Sequence, residues 1–139
     1  MNVYLDSSAL LKLVWEERGR HELIELTERA THLSTAAIAY TEVRSGIARA
    51  LRPRTAEAGA ARKELDAVWP QIAILTIDET RARTGGDIAD RHRLRGMDAL
   101  HVSAAVELSS LAPLVFASWD KDQRNAARRE GLEVFPTSI

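Results

Sequence analysis

Five short apolar runs alternate with stretches of helical periodicity along the 139 residues. "VYLD" (3–6), "HLST" (32–35), "IAILTI" (72–77), "LVFAS" (114–118) and "LEVFP" (132–136) read as strands, the second weakly and the third as a buried type. Between them, residues 8–15, 18–30, 36–51, 55–69, 79–93, 98–109 and 121–130 read as helices. In 36–51, for example, Tyr40, Val43, Ile47 and Leu51 fall on one face. Strands alternating with helices require crossover connections. They therefore predict an α/β fold with three layers, α/β/α, around a central mostly parallel sheet. No repeat or linker divides the chain, so residues 1–139 are expected to form a single domain. In such sheets ligands bind beyond the carboxyl ends of the strands, near a switch in strand order.

Composition narrows the chemistry. With no cysteine, structural disulfides, Cys-type zinc sites and thiol chemistry are excluded. The N-terminus has no basic stretch ahead of an apolar run, and Asp6 and Lys12 interrupt its apolar residues. Neither a signal peptide nor a membrane span is expected, and a cytoplasmic location is. The formal net charge is −1, yet of 19 basic residues only Lys12, Lys63 and Lys121 are lysine. Arginine forks suit phosphates, although a coding bias explains the same count equally well.

Asp6 ends the first strand run, Asp120 follows the fourth, and Asp98 opens a helix. Each has an ordinary explanation, because aspartate is a favoured helix N-cap. Glu42 lies inside a helix, about 100° around from the apolar Val43, and has no capping role. Gly46, one turn on, gives either close helix packing or access to Glu42. Were the aspartates to converge, two unit charges 4 Å apart would repel by about 4 kcal/mol at an effective dielectric near 20. Such a cluster persists if it shares a proton or binds a cation. All-oxygen ligands select hard ions such as Mg²⁺ or Mn²⁺. The four histidines show no zinc spacing, and no phosphate-binding glycine loop is present. "DSSAL" lacks the second aspartate of an aspartyl-phosphate phosphatase, and "YLDSS" lacks the acidic pair of a receiver domain.

"VYLDSSALLKL", "TEVRSG", "LRGMDALHVSAA" and "FASWDKDQRNAARREGLEVFP" together resemble the PIN domain, and most of all the VapC-type toxins of bacterial toxin–antitoxin pairs. The resemblance runs through essentially the whole chain, in order and spacing. It implies a Mg²⁺-dependent endoribonuclease, with Mn²⁺ as an alternative ion, in which carboxylates hold the metal and a metal-activated water attacks the phosphodiester in line. Asp6, Glu42, Asp98 and Asp120 match the four acids in that order. Asp6 and Asp98 are the expected direct ligands, Asp120 a further one, and Glu42 and Asp120 hold a second ion, metal waters or a proton. Ser118 stands where threonine is more usual and keeps the hydroxyl; Asp122 is a lesser candidate beside it. The products should carry 5′-phosphate and 3′-hydroxyl ends.

His101, three residues after Asp98, can meet it on one helix face. A metal-activated water removes the need for a histidine base, so a core or supporting role is expected. Ser7 and Ser8 are expected as caps and supporting donors rather than nucleophiles. Arg44, Arg95, Lys121 and Arg124 flank the motifs as candidate RNA contacts, each equally readable as a solvated charge. The implied partners are an RNA substrate (tRNA among the candidates), a VapB-like antitoxin whose tail enters near Arg44 and Arg95, and a second copy of the chain. The alternatives are a PIN nuclease of RNA processing without antitoxin, a metal- or RNA-binding module that does not cut, and a metal-free histidine ribonuclease.

Overall fold

The computed structural model describes residues 1–15 and 17–138. Its strands are β1 (Asn2–Leu5), β2 (His32–Ala36), β3 (Ala73–Leu75), β4 (Leu114–Ala117) and β5 (Glu133–Phe135). The helices are α1 (Ser7–Val14), α2 (Arg20–Arg29), α3 (Ile38–Ala50), α4 (Thr55–Val68), α5 (Glu79–His92), α6 (Gly96–Ser109) and α7 (Lys121–Arg129). A single 3₁₀ turn, Trp69–Gln71, joins α4 to β3. The sheet order is β3-β2-β1-β4-β5 and every pairing is parallel.

Alternation in β1 builds the two cores. Val3 and Leu5 pack on one face with Leu10, Leu23, Val43, Ile47 and Leu65 from α1 to α4. Tyr4 points the other way, stacked on Phe116 and packed with Ile88, Val102 and Ala126 from α5 to α7. Helices thus cover both faces, which is what near-continuous apolar strands require. None of the described helices is long and apolar enough to cross a membrane.

Three local expectations change. "IAILTI" forms only a three-residue strand, with Ala73 exposed and Ile74 and Leu75 half-buried, because β3 lies at the sheet edge and pairs with β2 alone. The run read as a weak strand, β2, instead lies inside the sheet between β3 and β1. Helix α6 begins at Gly96 with Arg95 in the cap position, so Asp98 is its third residue and not its cap. At Gly46 a Cβ would lie 3.6 Å from Leu11 Cδ2, an ordinary contact, so α3 packs closely on α1 there without requiring glycine.

From β1 the chain builds outward to β2 and β3, then crosses to the other side of β1 to lay down β4 and β5. The switch therefore falls between β1 and β4. Their carboxyl ends lead directly into Asp6 and into Ser118–Asp120.

Candidate metal centre and cleft

Asp6 caps α1 in extended backbone (φ −76°, ψ −178°) and is wholly buried. Its Oδ1 accepts from Ser8 Oγ at 2.7 Å and from the Ala9 N–H at 2.9 Å; its Oδ2 accepts from Ser118 Oγ at 2.5 Å. Burial pushes this carboxyl above the usual carboxylate range, against the pull of His101 and the hydrogen bonds from Ser118, Ser8 and Ala9. Ser118 Oγ also accepts from the Asp120 N–H at 3.0 Å, and Ser8 Oγ from the Trp119 N–H at 2.9 Å. Two serine hydroxyls thereby tie the loop after β1 to the loop after β4. Ser8, not Ser7, does this: the Ser7 hydroxyl has no hydrogen bond among the described residues.

Asp120 caps α7, its Oδ1 accepting from the N–H groups of Asp122 (2.9 Å) and Gln123 (3.1 Å). Asp98 accepts from the Gln123 side-chain amide at 3.0 Å. Burial, then the charges of Asp120 and Glu42, push the Asp98 carboxyl up. Glu42 meets His101 Nε2 at 2.6 Å, and His101 Nδ1 meets the Tyr4 hydroxyl at 2.8 Å. Both ring nitrogens of this fully buried histidine are therefore occupied. Burial and the nearby Asp6 charge raise the Tyr4 hydroxyl's pKa, so it stays protonated and can donate to Nδ1. Nε2–H then faces Glu42.

Glu42, Asp98 and Asp120 line one cleft of about 650 Å³, and Asp6 lies buried near them, contributing to the charge that Asp98 feels. Arg95 and Met97 at the start of α6, and Ala82, Gly86 and Ala89 along α5, complete its walls. Close helix packing shapes this side, since a Cβ on Gly85 would lie 2.6 Å from Leu100 Cδ2. Among the described residues no lysine or arginine forms an ion pair with any of the four acids.

The donor chemistry fits a hard divalent ion: oxygen ligands, excess negative charge and a carboxyl raised by its neighbours. Among the described residues no three acidic or imidazole side chains are gathered tightly enough to hold one ion between them. Magnesium usually keeps several waters and takes one or two protein carboxylates, so Asp98 and Asp120 at the cleft suffice for such an ion.

Other candidates lie elsewhere. Arg124 is buried, not presented to a ligand; its guanidinium donates to the Ser118 carbonyl at 2.8 Å, and burial lowers its pKa. It props the β4 loop because its position on α7 turns it inward. Arg44 lies over the Tyr40 ring and donates to its hydroxyl, away from the cleft lining. Lys121 is exposed outside that lining, and Asp122 lines a separate cavity. Gln123 is the residue that sequence reasoning missed. Its signal was the spacing Asp120-x-x-Gln123, that of a capping box, although here the amide reaches Asp98 instead of the cap's N–H.

Residues 3–129 match the family model of the PIN domain. Ribonuclease VapC45 of Mycobacterium tuberculosis (strain CDC 1551 / Oshkosh) is 29% identical over 140 residues, covering 99% of this chain and 96% of that protein. Among solved structures, FitAcB from Neisseria gonorrhoeae superposes with a TM-score of 0.72 at 20% identity, covering 96% of both chains. A toxin–antitoxin complex from Klebsiella pneumoniae superposes with a TM-score of 0.62 at 16% identity, covering 86% of this chain and 88% of that one. A family model matched over nearly the whole length, on a fold that these structures share, means that this chain belongs to the PIN domain family.

Proposed function

We propose that the protein is a Mg²⁺- or Mn²⁺-dependent endoribonuclease, the toxin of a toxin–antitoxin pair. One observation carries the chemistry: acids from α3, α6 and the loop after β4 line a single cleft, and among the described residues no lysine or arginine is paired to them. A cleft of that charge repels a polyanion unless a cation intervenes. Its relatives supply the substrate class and the partner, since VapC45 is named a ribonuclease and a similar fold is seen in a toxin–antitoxin complex.

Asp98 and Asp120 would hold the ion, with Asp6 beneath them. When bound, the ion acidifies a water and offsets charge developing on the phosphate. The remaining work belongs to the chain. Ser8, Ser118 and the Ala9 N–H fix the Asp6 carboxylate in one orientation. Gln123 holds Asp98, and the Tyr4–His101 pair holds Glu42 at the cleft wall. Glu42, with one carboxylate oxygen engaged by His101, keeps the other to accept a proton. Arg95 at the cleft mouth takes a phosphate of the incoming strand. A histidine mechanism without metal is disfavoured, because His101 is wholly buried with both nitrogens engaged.

The antitoxin and a second copy of the chain belong to the same reading, the antitoxin covering the cleft. Incubation with RNA should give 5′-phosphate products with Mg²⁺ or Mn²⁺ and none with EDTA. Cleavage that persists in EDTA would remove the metal mechanism. Induced expression should arrest bacterial growth, and Asp6→Asn should relieve the arrest; growth unaffected by the unaltered protein would remove the toxin assignment.

A further inference from the structure

A second cavity, of about 230 Å³, lies between the end of α5 and α7. Asp122, Asn125 and Arg129 line it from one face of α7, and His92, Arg93 and Leu94 from the end of α5. Arg93 and Arg129 are exposed, and neither forms an ion pair among the described residues. Of the other arginines nearby, Arg91 is already held by Glu130 at 2.8 Å, and Arg128 donates to the Asn125 side-chain oxygen at 3.2 Å. Two arginines against one aspartate leave the lining net positive. His92 is bonded to Glu130 through Nε2 and buried on its ring face, so it forms a fixed wall.

Arg93 ends α5 in the left-handed region, at φ 55°. Glycine or asparagine is the usual residue there, because a Cβ is strained in that conformation. The loop keeps a long cationic side chain at that strain, and the chain turns so that Arg93 faces this cavity while Arg95 faces the cleft. Two residues span at most about 7 Å of backbone, so only a short stretch of chain separates the residue lining the cavity from the residue lining the cleft.

We infer that the Arg93–Arg129 cavity is a phosphate subsite for the RNA strand that enters the acidic cleft. Arg95 takes the phosphate at the cleft, and Arg93 and Arg129 take a neighbouring one, with the Asn125 amide beside them. Asp122 opposes the strand and keeps its hold weak enough for release. The inference rests on the ribonuclease reading above.

The test uses full-length Asp98→Asn protein, to suppress cleavage, in Mg²⁺ buffer with a fluorescein-labelled single-stranded RNA. Arg93→Gly and Arg129→Gln, added singly, should each weaken binding several-fold and lower the slope of log K against log[salt] by about one. Arg93→Gly places the preferred residue at the strained position, so its melting temperature should not fall. Asp122→Asn should tighten binding. Arg52→Gln, in the turn after α3 and so at the opposite end of the sheet, controls for general charge loss. If the Arg93 and Arg129 variants bind as the Arg52 control does, the subsite is overturned while the ribonuclease reading stands. If neither the Asp98→Asn protein nor the unaltered protein binds RNA in that buffer, both fall. Intact RNA binding with loss of binding to a labelled oligoglutamate overturns the subsite and gives the cavity to an acidic peptide.

Discussion

The Gln123 side-chain amide donates to Asp98 across 3.0 Å while its backbone N–H donates to Asp120 across 3.1 Å. One buried neutral residue on α7 therefore links the acid of α6 to the acid that caps α7. It does so without adding the positive charge that would compete with a cation.

Replacing that amide by a carboxylate tests the link. Gln123→Glu buries a further acid against Asp98, and should cost about 3 kcal/mol in EDTA, as an uncompensated buried charge does. Mg²⁺ should raise the melting temperature of this variant more than that of the unaltered protein. An identical response to Mg²⁺ in both proteins would show that the ion does not bind beside Asp98.

Asp98→Asn separates activity from folding. The folded protein holds the Asp98 proton more tightly than the unfolded chain does, because burial, Asp120 and Glu42 disfavour the anion. This carboxyl's contribution to stability is full below the unfolded-state pKa of about 3.9 and is lost as pH rises through its raised folded value. In EDTA at neutral pH, Asp98→Asn should therefore melt no lower than the unaltered protein, and the difference should shrink on acidification. RNA cleavage should fall by at least about 100-fold, the scale of losing a group that acts in the transition state. A large drop in melting temperature would instead assign Asp98 a mainly structural role.

The paired glycines of α5 should behave oppositely. At Gly86 an added Cβ meets nothing within 4 Å, so Gly86→Ala should stabilise by up to about 1 kcal/mol through helix propensity. At Gly85 the same methyl lies 2.6 Å from Leu100 Cδ2, and the α5–α6 contact must shift. Gly85→Ala should lose the propensity gain and about 1–3 kcal/mol more. Urea denaturation distinguishes the two.

Glu130 gives the acid limb of the stability curve. Hydrogen bonds from Arg91 and His92 hold its carboxyl below the usual range. A depressed folded pKa contributes stability above the unfolded value of about 4.3, and that stability is lost as pH falls through the folded value. Glu130→Gln should cost about 1 kcal/mol at pH 6, the scale of a partly exposed ion pair. The gap should close progressively below about pH 4. A gap that persists at low pH would mean that packing, not charge, is lost.

Much of this was legible in the chain before it folded. The alternation of strand and helix periods is local and strong, so the parallel α/β/α sheet followed from it. The acids at the ends of β1 and β4 were visible because strand ends are punctuated in sequence: Asp6 and Asp120 each cap the next helix while standing at the switch point. Partners distant in sequence were not legible. Ser118 reaches Asp6 across 112 positions, His101 reaches Glu42 across 59 and Gln123 reaches Asp98 across 25.

The sequence by itself determined which residue types stand at strand ends and which faces are apolar, because those follow from backbone period and capping chemistry within a few residues. Only the tertiary structure decided what each polar group faces. It turned Arg124 inward to the Ser118 carbonyl, put Asp122 in a second cavity, left β3 at the sheet edge and freed Asp98 from capping. The reason is that side-chain direction depends on how helices are laid against the sheet. A rotation of one residue, about 100° on a helix, separates a buried strut from a ligand-facing charge.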